Sequence, residues 1–298
     1  MLNIFNDLKN TKLVICDSYH YLNIKQIQKK FNFKLLKLEV DAYKCKEIFI
    51  TNKLNNNNDN ILLIFNIITG LDLIKLLLVF YNLNNNLSNI TLLIPYLGYC
   101  RQHNDTNSVG SMILESIKNF NIKKIHLLEP HCIRIFHNLS KYSNINIISP
   151  RELFIRYIQT LNLNLNIENS ILISPDKGFE NEIKYYSKIL NIDYIVGKKI
   201  RNNQGKIEKL YISFNEKFKN ILIIDDLIDT GDTITTLIKK LIESKKNNLS
   251  IFVFCCHGVL SKKPEFLKYK CVKELILTNS LEVKYKNSKI KILDIYSQ

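Results

Sequence analysis

No two of the seven cysteines in this chain have the C-x-x-C spacing of a zinc site or a redox motif, and two of them, Cys255 and Cys256, are adjacent inside an apolar run. That pattern argues against a zinc ribbon and a disulfide framework and fits a reduced, cytoplasmic compartment. A targeting signal is also missing, because "MLNIFNDLKNTKLVICD" shows no charged segment followed by an apolar stretch and a small-residue cleavage site. So is an uninterrupted apolar run of membrane length. The nearest approach, "ILLIFNIITGLDLIKLLLVFY" at 61–81, is broken by Asn66, Asp72 and Lys75 and divided at Thr69-Gly70, so it reads as a buried strand and then a helix. Arginine is scarce, five among 42 basic side chains. The net charge of +15 comes from lysines scattered through Asn- and Ile-rich text such as "LNNNNDN" (54–60). Charge spread in this way reads as compositional drift and gives no sign of a nucleic-acid surface, although an anionic substrate would welcome the positive field.

What is present is a chain of 298 residues, 46% hydrophobic, long enough for two modest domains. Aliphatic runs predict strands at 12–16, 46–50, 61–65, 90–94, 124–128, 145–148, 170–174, 193–196, 221–224, 251–255 and 274–277. Helical periodicity predicts helices at 20–31, 71–82, 107–120, 131–140, 151–161, 178–190 and 233–245. In the last of these, Ile234, Leu237, Ile238, Leu241 and Ile242 form the stripe of a helix lying on a sheet. Strand-helix alternation of this kind gives an α/β fold with a largely parallel sheet flanked by helices. It occurs twice, with a boundary near 148–152, which predicts domains at 1–149 and 150–298.

With only 8 Gly and 5 Pro, the places where these residues gather with other special ones stand out: "IPYLGYCRQ" (94–102), "ISPDKG" (173–178) and "DTGDT" (229–233). The last lies in "ILIIDDLIDTGDTITTLIKK" (221–240), where a buried strand runs into Asp225 and Asp226. A polar strand end before a capped helix explains this blandly. A binding loop explains it more fully. Thr230, Gly231 and Thr233 offer hydroxyls and amides at a helix N-terminus to a phosphate, and the two carboxylates can accept from the vicinal hydroxyls of a sugar. Phosphate plus diol reads as a ribose phosphate.

Two acidic residues after an apolar strand, then D-T-G-x-T, resembles the phosphoribosyl-diphosphate loop of type I phosphoribosyltransferases. Asp232 stands where many members carry Gly, and its side chain is expected to point outward. "ITLLIPYLGYCRQ" (90–102), "ILISPDKGFENEIKYYSKIL" (171–190), "CCHGVLS" (255–261) and "LILTNSLEV" (275–283) are similar, in order and spacing, to segments of one branch, the ribose-phosphate diphosphokinases. The resemblance covers roughly residues 40–283 and implies two similar phosphoribosyltransferase-like domains. The N-terminal one lies on the ATP side, and the C-terminal one carries the ribose 5-phosphate loop.

Residue by residue, the resemblance implies that Tyr43, Glu47, Arg101, Gln102 and His103 bind ATP. Asp225, Asp226, Asp229, Thr230, Gly231, Asp232 and Thr233, with Arg201, would bind ribose 5-phosphate. His131 and Asp176 match contacts to magnesium, the metal carried with ATP, and Lys198 matches the catalytic lysine. Bland alternatives stand beside these: a surface arginine in a loop, a packing histidine, and a carboxylate capping the helix after Pro175. Beyond Asp232, the chain departs from the family pattern in four places. Ile200 replaces an arginine, with Arg201 one place on. Cys45 and Lys46 stand where the nucleotide segment has Asp and Gly. "HNDTNSVG" (103–110) is short and lacks the basic cluster of the triphosphate loop, and a final helix is missing after "ILDIYSQ".

The reaction implied is diphosphate transfer from magnesium ATP to ribose 5-phosphate for nucleotide biosynthesis, with activity reduced. The implied assembly is a homo-oligomer, a dimer or a hexamer built from dimers, with no nucleic acid or membrane partner. The rivals are an inactive, synthetase-like regulatory subunit and a phosphoribosyltransferase acting on a base.

Overall fold

Aliphatic runs such as "ILLI", "ITLLI" and "ILII" bury both of their faces, so they form strands covered by helices on either side. The computed structural model describes residues 4–54, 59–83, 87–101, 109–131, 144–161, 167–201, 207–212, 217–244 and 249–296, with the backbone alone at 4–6, 167, 199–201 and 207–210. The chain divides into two units, Met1–Ser149 with Tyr296–Gln298, and Pro150–Ile295.

The first unit contains α1 (Ile4–Asn10), β1 (Leu13–Cys16), α2 (Ser18–Phe31), β2 (Lys34–Lys37), β3 (Val40–Ala42), β4 (Ile48–Ile50), β5 (Ile61–Ile64), α3 (Gly70–Asn82), β6 (Ile90–Ile94), α4 (Val109–Lys118), β7 (Lys124–Leu128) and β8 (Ile145–Ile148). Six strands form one sheet in the order β2-β1-β5-β6-β7-β8. All its pairings are parallel, while β3 and β4 make a separate antiparallel hairpin. The charges that interrupt the apolar run at 61–81 are explained by the start of α3. Asp72 accepts from the Thr69 amide (2.8 Å) and hydroxyl (2.9 Å), which closes the first turn, and Lys75 pairs with it at 3.3 Å. Among the described residues no helix is long and apolar enough to cross a membrane.

The second unit contains α5 (Arg151–Thr160), β9 (Ser170–Ser174), α6 (Glu180–Leu190), β10 (Tyr194–Val196), β11 (Lys198–Arg201), β12 (Ile207–Tyr211), β13 (Asn220–Ile228), α7 (Asp232–Ser244), β14 (Ser250–Gly258), β15 (Val272–Thr278) and β16 (Ile290–Leu293). Its sheet runs β10-β9-β13-β14-β15-β16, again all parallel. Alternate residues of β13 feed two separate cores: Ile221 and Ile223 pack with the α7 stripe of Ile234, Leu237, Ile238 and Leu241, whereas Leu222 and Ile224 pack with Phe154, Ile183 and Tyr186. Arg151 pairs with the buried Glu182 and lies over the Tyr185 ring, tying α5 to α6.

The architecture is the expected one, with differences that have physical reasons. β2 (KLLK) and β16 (IKIL) were not expected as strands. Each is an edge strand paired on one side only, where lysine is tolerated, so neither carries the continuous apolar signal of a central strand. β13 and β14 continue past their aliphatic runs to Ile228 and Gly258, so Asp225 and Asp226 lie within a strand. The helix expected at 131–140 lies outside the described residues apart from His131.

Helix α1, also unexpected, is anchored by a buried polar contact. His126, fully buried on β7, lies with Nε2 2.6 Å from Asp7 Oδ2, and the Asn146 amide nitrogen is 3.1 Å from its Nδ1. An amide nitrogen can only donate, which leaves the ring proton on Nε2, pointing at the carboxylate. Lys124 adds its charge at 3.5 Å. Burial works to raise the Asp7 carboxyl, but the hydrogen bond from His126 and the contact with Lys124 outweigh it and hold the carboxyl below its ordinary value. The stability this carboxylate contributes is therefore present above its unfolded-state value, about 3.9, and lost as pH falls through the lower folded value. Asp7→Ala is expected to cost about 1.5–3 kcal/mol at neutral pH. In denaturant titrations the gap to the unaltered protein should close below about pH 4; a gap that stays constant with pH would contradict this account.

Candidate functional site

Because β9, β13, β14 and β15 are adjacent and parallel, the segments leaving their C-terminal ends gather along one edge of the second sheet. Those segments are 175–178, 229–231, 259–263 and 279–283, and Lys198 follows the end of β10, which runs parallel to β9, so every motif noted in this half of the sequence begins at this end of the sheet. Ligand crevices of open parallel sheets lie at this edge.

Asp225 and Asp226 are both buried. Asp225 sits opposite Cys255 on β14, and its Oδ1 accepts from the Asp226 amide at 3.1 Å. Burial pushes the Cys255 thiol well above its ordinary range, and the two nearby carboxylates add to the shift, so this cysteine stays a neutral packing group. Beyond Ile228 the chain turns sharply. The Ile228 carbonyl accepts from the Val259 (2.9 Å) and Leu260 (3.2 Å) amides, and Asp229 Oδ1 accepts from the Ser261 amide at 3.3 Å. Gly231 then takes φ +76°, and a Cβ there would lie 2.9 Å from Pro264 Cβ and 3.1 Å from the Phe266 ring. Both the backbone angle and the neighbour require glycine.

Asp232 opens α7 with its side chain 62% exposed. It points outward, yet it stays engaged: Thr230 Oγ1 donates to Oδ2 at 2.8 Å, and Lys262 Nζ lies 2.8 Å from Oδ1. The Lys262 contact holds this carboxyl below its ordinary value, with Thr230 contributing and burial opposing. The extra negative charge at the turn is thus matched by a lysine from the segment after β14, a partner that sequence spacing could not reveal. Thr233 is half-buried behind the turn. Behind it, His257 Nδ1 meets Ser280 Oγ at 2.9 Å, and the Cys256 carbonyl accepts from Thr278 (2.7 Å) and Ser280 (3.2 Å), which locks β14 to β15.

At the end of β9, Asp176 caps the short 3-10 turn Lys177–Phe179, its Oδ1 accepting from the Gly178 amide at 2.9 Å. Lys198 is exposed and stands in register with Tyr211. The segment from Lys198 is β11, which was not expected as a strand; it forms an antiparallel hairpin with β12, and its register shifts between Ile200 and Arg201. An irregularity there breaks strict alternation at the position where the arginine is displaced by one residue. The side chain of Arg201 lies outside what is described.

In the first unit, Arg101 is exposed in the turn after β6, and His131 is half-buried just beyond β7, the neighbouring strand. Gln102 and His103 lie outside the described residues. Tyr43 and Glu47 flank the tip of the β3–β4 hairpin, where the Tyr43 amide donates to the Glu47 carbonyl at 2.8 Å, and both are exposed. Lys46 has φ +71°, so the backbone keeps the left-handed turn although glycine is absent. Among the described residues no group of three or more His, Cys, Asp or Glu is arranged to hold a metal. Magnesium that arrives on a polyphosphate takes most of its ligands from phosphate and water, and one or two protein groups suffice for it.

Two family models match the chain. Residues 11–120 match the N-terminal domain of ribose phosphate pyrophosphokinase, and residues 215–298 match the phosphoribosyl synthetase-associated domain. Over 238 residues the chain is 28% identical to the ribose-phosphate pyrophosphokinase of Campylobacter jejuni, covering 76% of this chain and 73% of that one. Over 286 residues it is 26% identical to the protein of the same name from Helicobacter pylori strain J99, covering 92% and 86%. The solved phosphoribosylpyrophosphate synthetase from Mycobacterium smegmatis superposes with a TM-score of 0.76 over 95% of each chain at 18% identity, a likeness of fold.

The geometry of the turn makes Gly231 its most sensitive point. Gly231→Ala is expected to lower the unfolding free energy by about 2 kcal/mol, from the left-handed angle and the contact with Pro264 together. Thermal unfolding checks this; an unchanged Tm would mean that the turn is not held as described.

Proposed function

We propose, from the premise that this chain belongs to the ribose-phosphate pyrophosphokinase family, that it transfers the diphosphate of magnesium ATP to the C1 hydroxyl of ribose 5-phosphate. The C1 oxygen attacks the β-phosphorus, the bond from that phosphorus to the bridging oxygen of the α-phosphate breaks, and AMP leaves as phosphoribosyl diphosphate forms. The observation that carries this reading is the pair of buried carboxylates, Asp225 and Asp226, near the end of β13, followed beyond Ile228 by a left-handed glycine turn into the N-terminus of α7.

In this reading Asp225 and Asp226 accept from the vicinal ribose hydroxyls, which the 5-phosphate below them holds in register. Thr230, Gly231 and Thr233 give amides and hydroxyls to that phosphate, with Asp229 and Asp232 shaping the turn. Lys198 neutralises charge on the transferring diphosphate, and Arg201 joins the ribose 5-phosphate contacts. Arg101, Gln102 and His103, with Tyr43 and Glu47, hold the nucleotide; an arginine fork suits both adenine stacking and phosphate oxygens. His131 and Asp176 would each serve as a contact to magnesium carried with ATP. No covalent intermediate is needed, so catalysis rests on positioning and charge. The same reading places the chain in a dimer-based homo-oligomer in the cytoplasm.

A second reading, a non-catalytic relative that keeps the ribose-phosphate site, is favoured by one feature: residues 103–110, "HNDTNSVG", contain neither lysine nor arginine. Losing donors to a transferring phosphoryl group typically costs about 100-fold each.

AMP release from ATP and ribose 5-phosphate tests the first reading. We expect it at a low kcat, rising when Asn104 and Thr106 are both replaced by Arg. No AMP before or after that change would favour the non-catalytic relative, and diphosphate release that depends on an added base would indicate a base transferase. Asp225→Ala is expected to weaken ribose 5-phosphate binding by about 1.5–3 kcal/mol in calorimetry. Unchanged affinity would reduce the two carboxylates to a strand end.

A further inference from the structure

The turn that carries Arg101 is held by two residues that follow β5. The Tyr96 amide donates to Asn66 Oδ1 at 2.8 Å, the Ile67 amide donates to the Tyr96 carbonyl at 3.1 Å, and the Gly98 amide donates to the Ile67 carbonyl at 2.7 Å. Gly98 fits against this segment so closely that a Cβ would lie 2.9 Å from the carbonyl oxygens of Ile67 and Ile68. The position of Asn66 and Ile67 therefore fixes the path of the turn.

Asn66 is held in its own right. Its Nδ2 lies 3.0 Å from His20 Nε2, and His20 Nδ1 lies 2.9 Å from the hydroxyl of Tyr296, which belongs to the same unit. All three residues are buried, His20 and Tyr296 almost completely. Because the Asn66 oxygen already accepts from an amide, its nitrogen faces the ring and can only donate. His20 Nε2 is then the acceptor, and the ring proton sits on Nδ1, donated to Tyr296. The chain has one polarity from end to end, and bonds linked in this way strengthen one another. The rings of His20 and Tyr296 also meet edge to face, 5.8 Å between centroids.

We infer that Tyr296, His20 and Asn66 are positioning residues for the nucleotide: together they set the conformation of the turn that presents Arg101 to ATP. Removing any link takes a hydrogen bond from a buried polar atom, and the cost is relieved by moving Asn66, which shifts the Tyr96 amide and the turn with it. This role rests on the reading that Arg101 grips ATP. None of the three touches substrate in that reading, so their effect is expected on nucleotide binding and not on the ribose side.

The test uses the full chain. Tyr296→Phe removes only a hydroxyl, His20→Phe removes both ring nitrogens, and His20→Gln restores an acceptor and a donor. In the first two, the KM for ATP is expected to rise about 3- to 10-fold with the KM for ribose 5-phosphate unchanged. His20→Gln should recover part of the loss. Hydrogen exchange across residues 94–101 should quicken in parallel. Circular dichroism establishes that each variant is folded, and Tyr296→Phe, nearly isosteric, serves if His20→Phe is not. Unchanged exchange and ATP KM, faster exchange without a change in ATP KM, or an equal rise in both KM values would each overturn the inference. Failure of the functional reading is distinguishable, because it shows as no AMP from the unaltered protein. In that case exchange and calorimetric ATP binding, neither of which needs turnover, decide the matter by the same outcomes.

Discussion

A parallel strand cannot return to its neighbour through a tight turn; the chain must cross over and re-enter the sheet from the same end. Both six-stranded sheets here obey that rule at every pairing. Everything that leaves the C-terminal end of a strand is therefore delivered to one edge of its sheet, whatever its distance in sequence. That constraint brings Asp176, Asp229, Ser261 and Asn279 to one side of the second unit. In the first unit the same constraint brings Asn66, Arg101 and His131 to the corresponding side. The interiors of the strands are aliphatic because both faces are covered, so polar chemistry is confined to these ends.

Glycine is scarce, and its distribution shows where it is indispensable. At Gly98 and Gly231 an added Cβ would fall within 3.0 Å of a fixed neighbour. At Lys46 (φ +71°) and Tyr99 (φ +64°) the backbone is left-handed, as at Gly231, but the side chains are exposed, so only the local conformational cost is incurred. That cost is about 1–2 kcal/mol per residue. Glycine is thus dispensable where only the angle is required, as at Lys46, and is kept at Gly231, where space is required as well. The turn at Asp232 follows a related logic: the altered residue keeps its outward direction, and Lys262 answers its charge.

Much of the fold was legible in the sequence because the informative elements are central strands, where burial of both faces forces continuous aliphatic runs at 61–64, 90–94, 170–174 and 221–224. The edge strands β2 and β16 and the hairpin β11–β12 were not, since a half-exposed strand admits lysine and loses that signal. The position of the Asp225 pair was legible as a motif, but its extent was not: the strand continues through both carboxylates. Partners such as Lys262 for Asp232, His126 for Asp7 and Tyr296 for His20 are set by tertiary approach and leave no periodic trace. Asn66 was visible only as a polar residue that breaks an apolar run, and its hold on the Arg101 turn became apparent only once β5 and β6 were adjacent.

The central claim is that the edge formed by the ends of β13 and β14 receives a ribose phosphate. Backbone amide NMR of the full chain titrated with ribose 5-phosphate tests it directly, because amides that bind a phosphate respond strongly and locally. The account predicts the largest shifts at residues 225–226 and 229–233, with smaller ones across 257–262. Saturation without shifts in those residues, or shifts concentrated elsewhere in the chain, would contradict it.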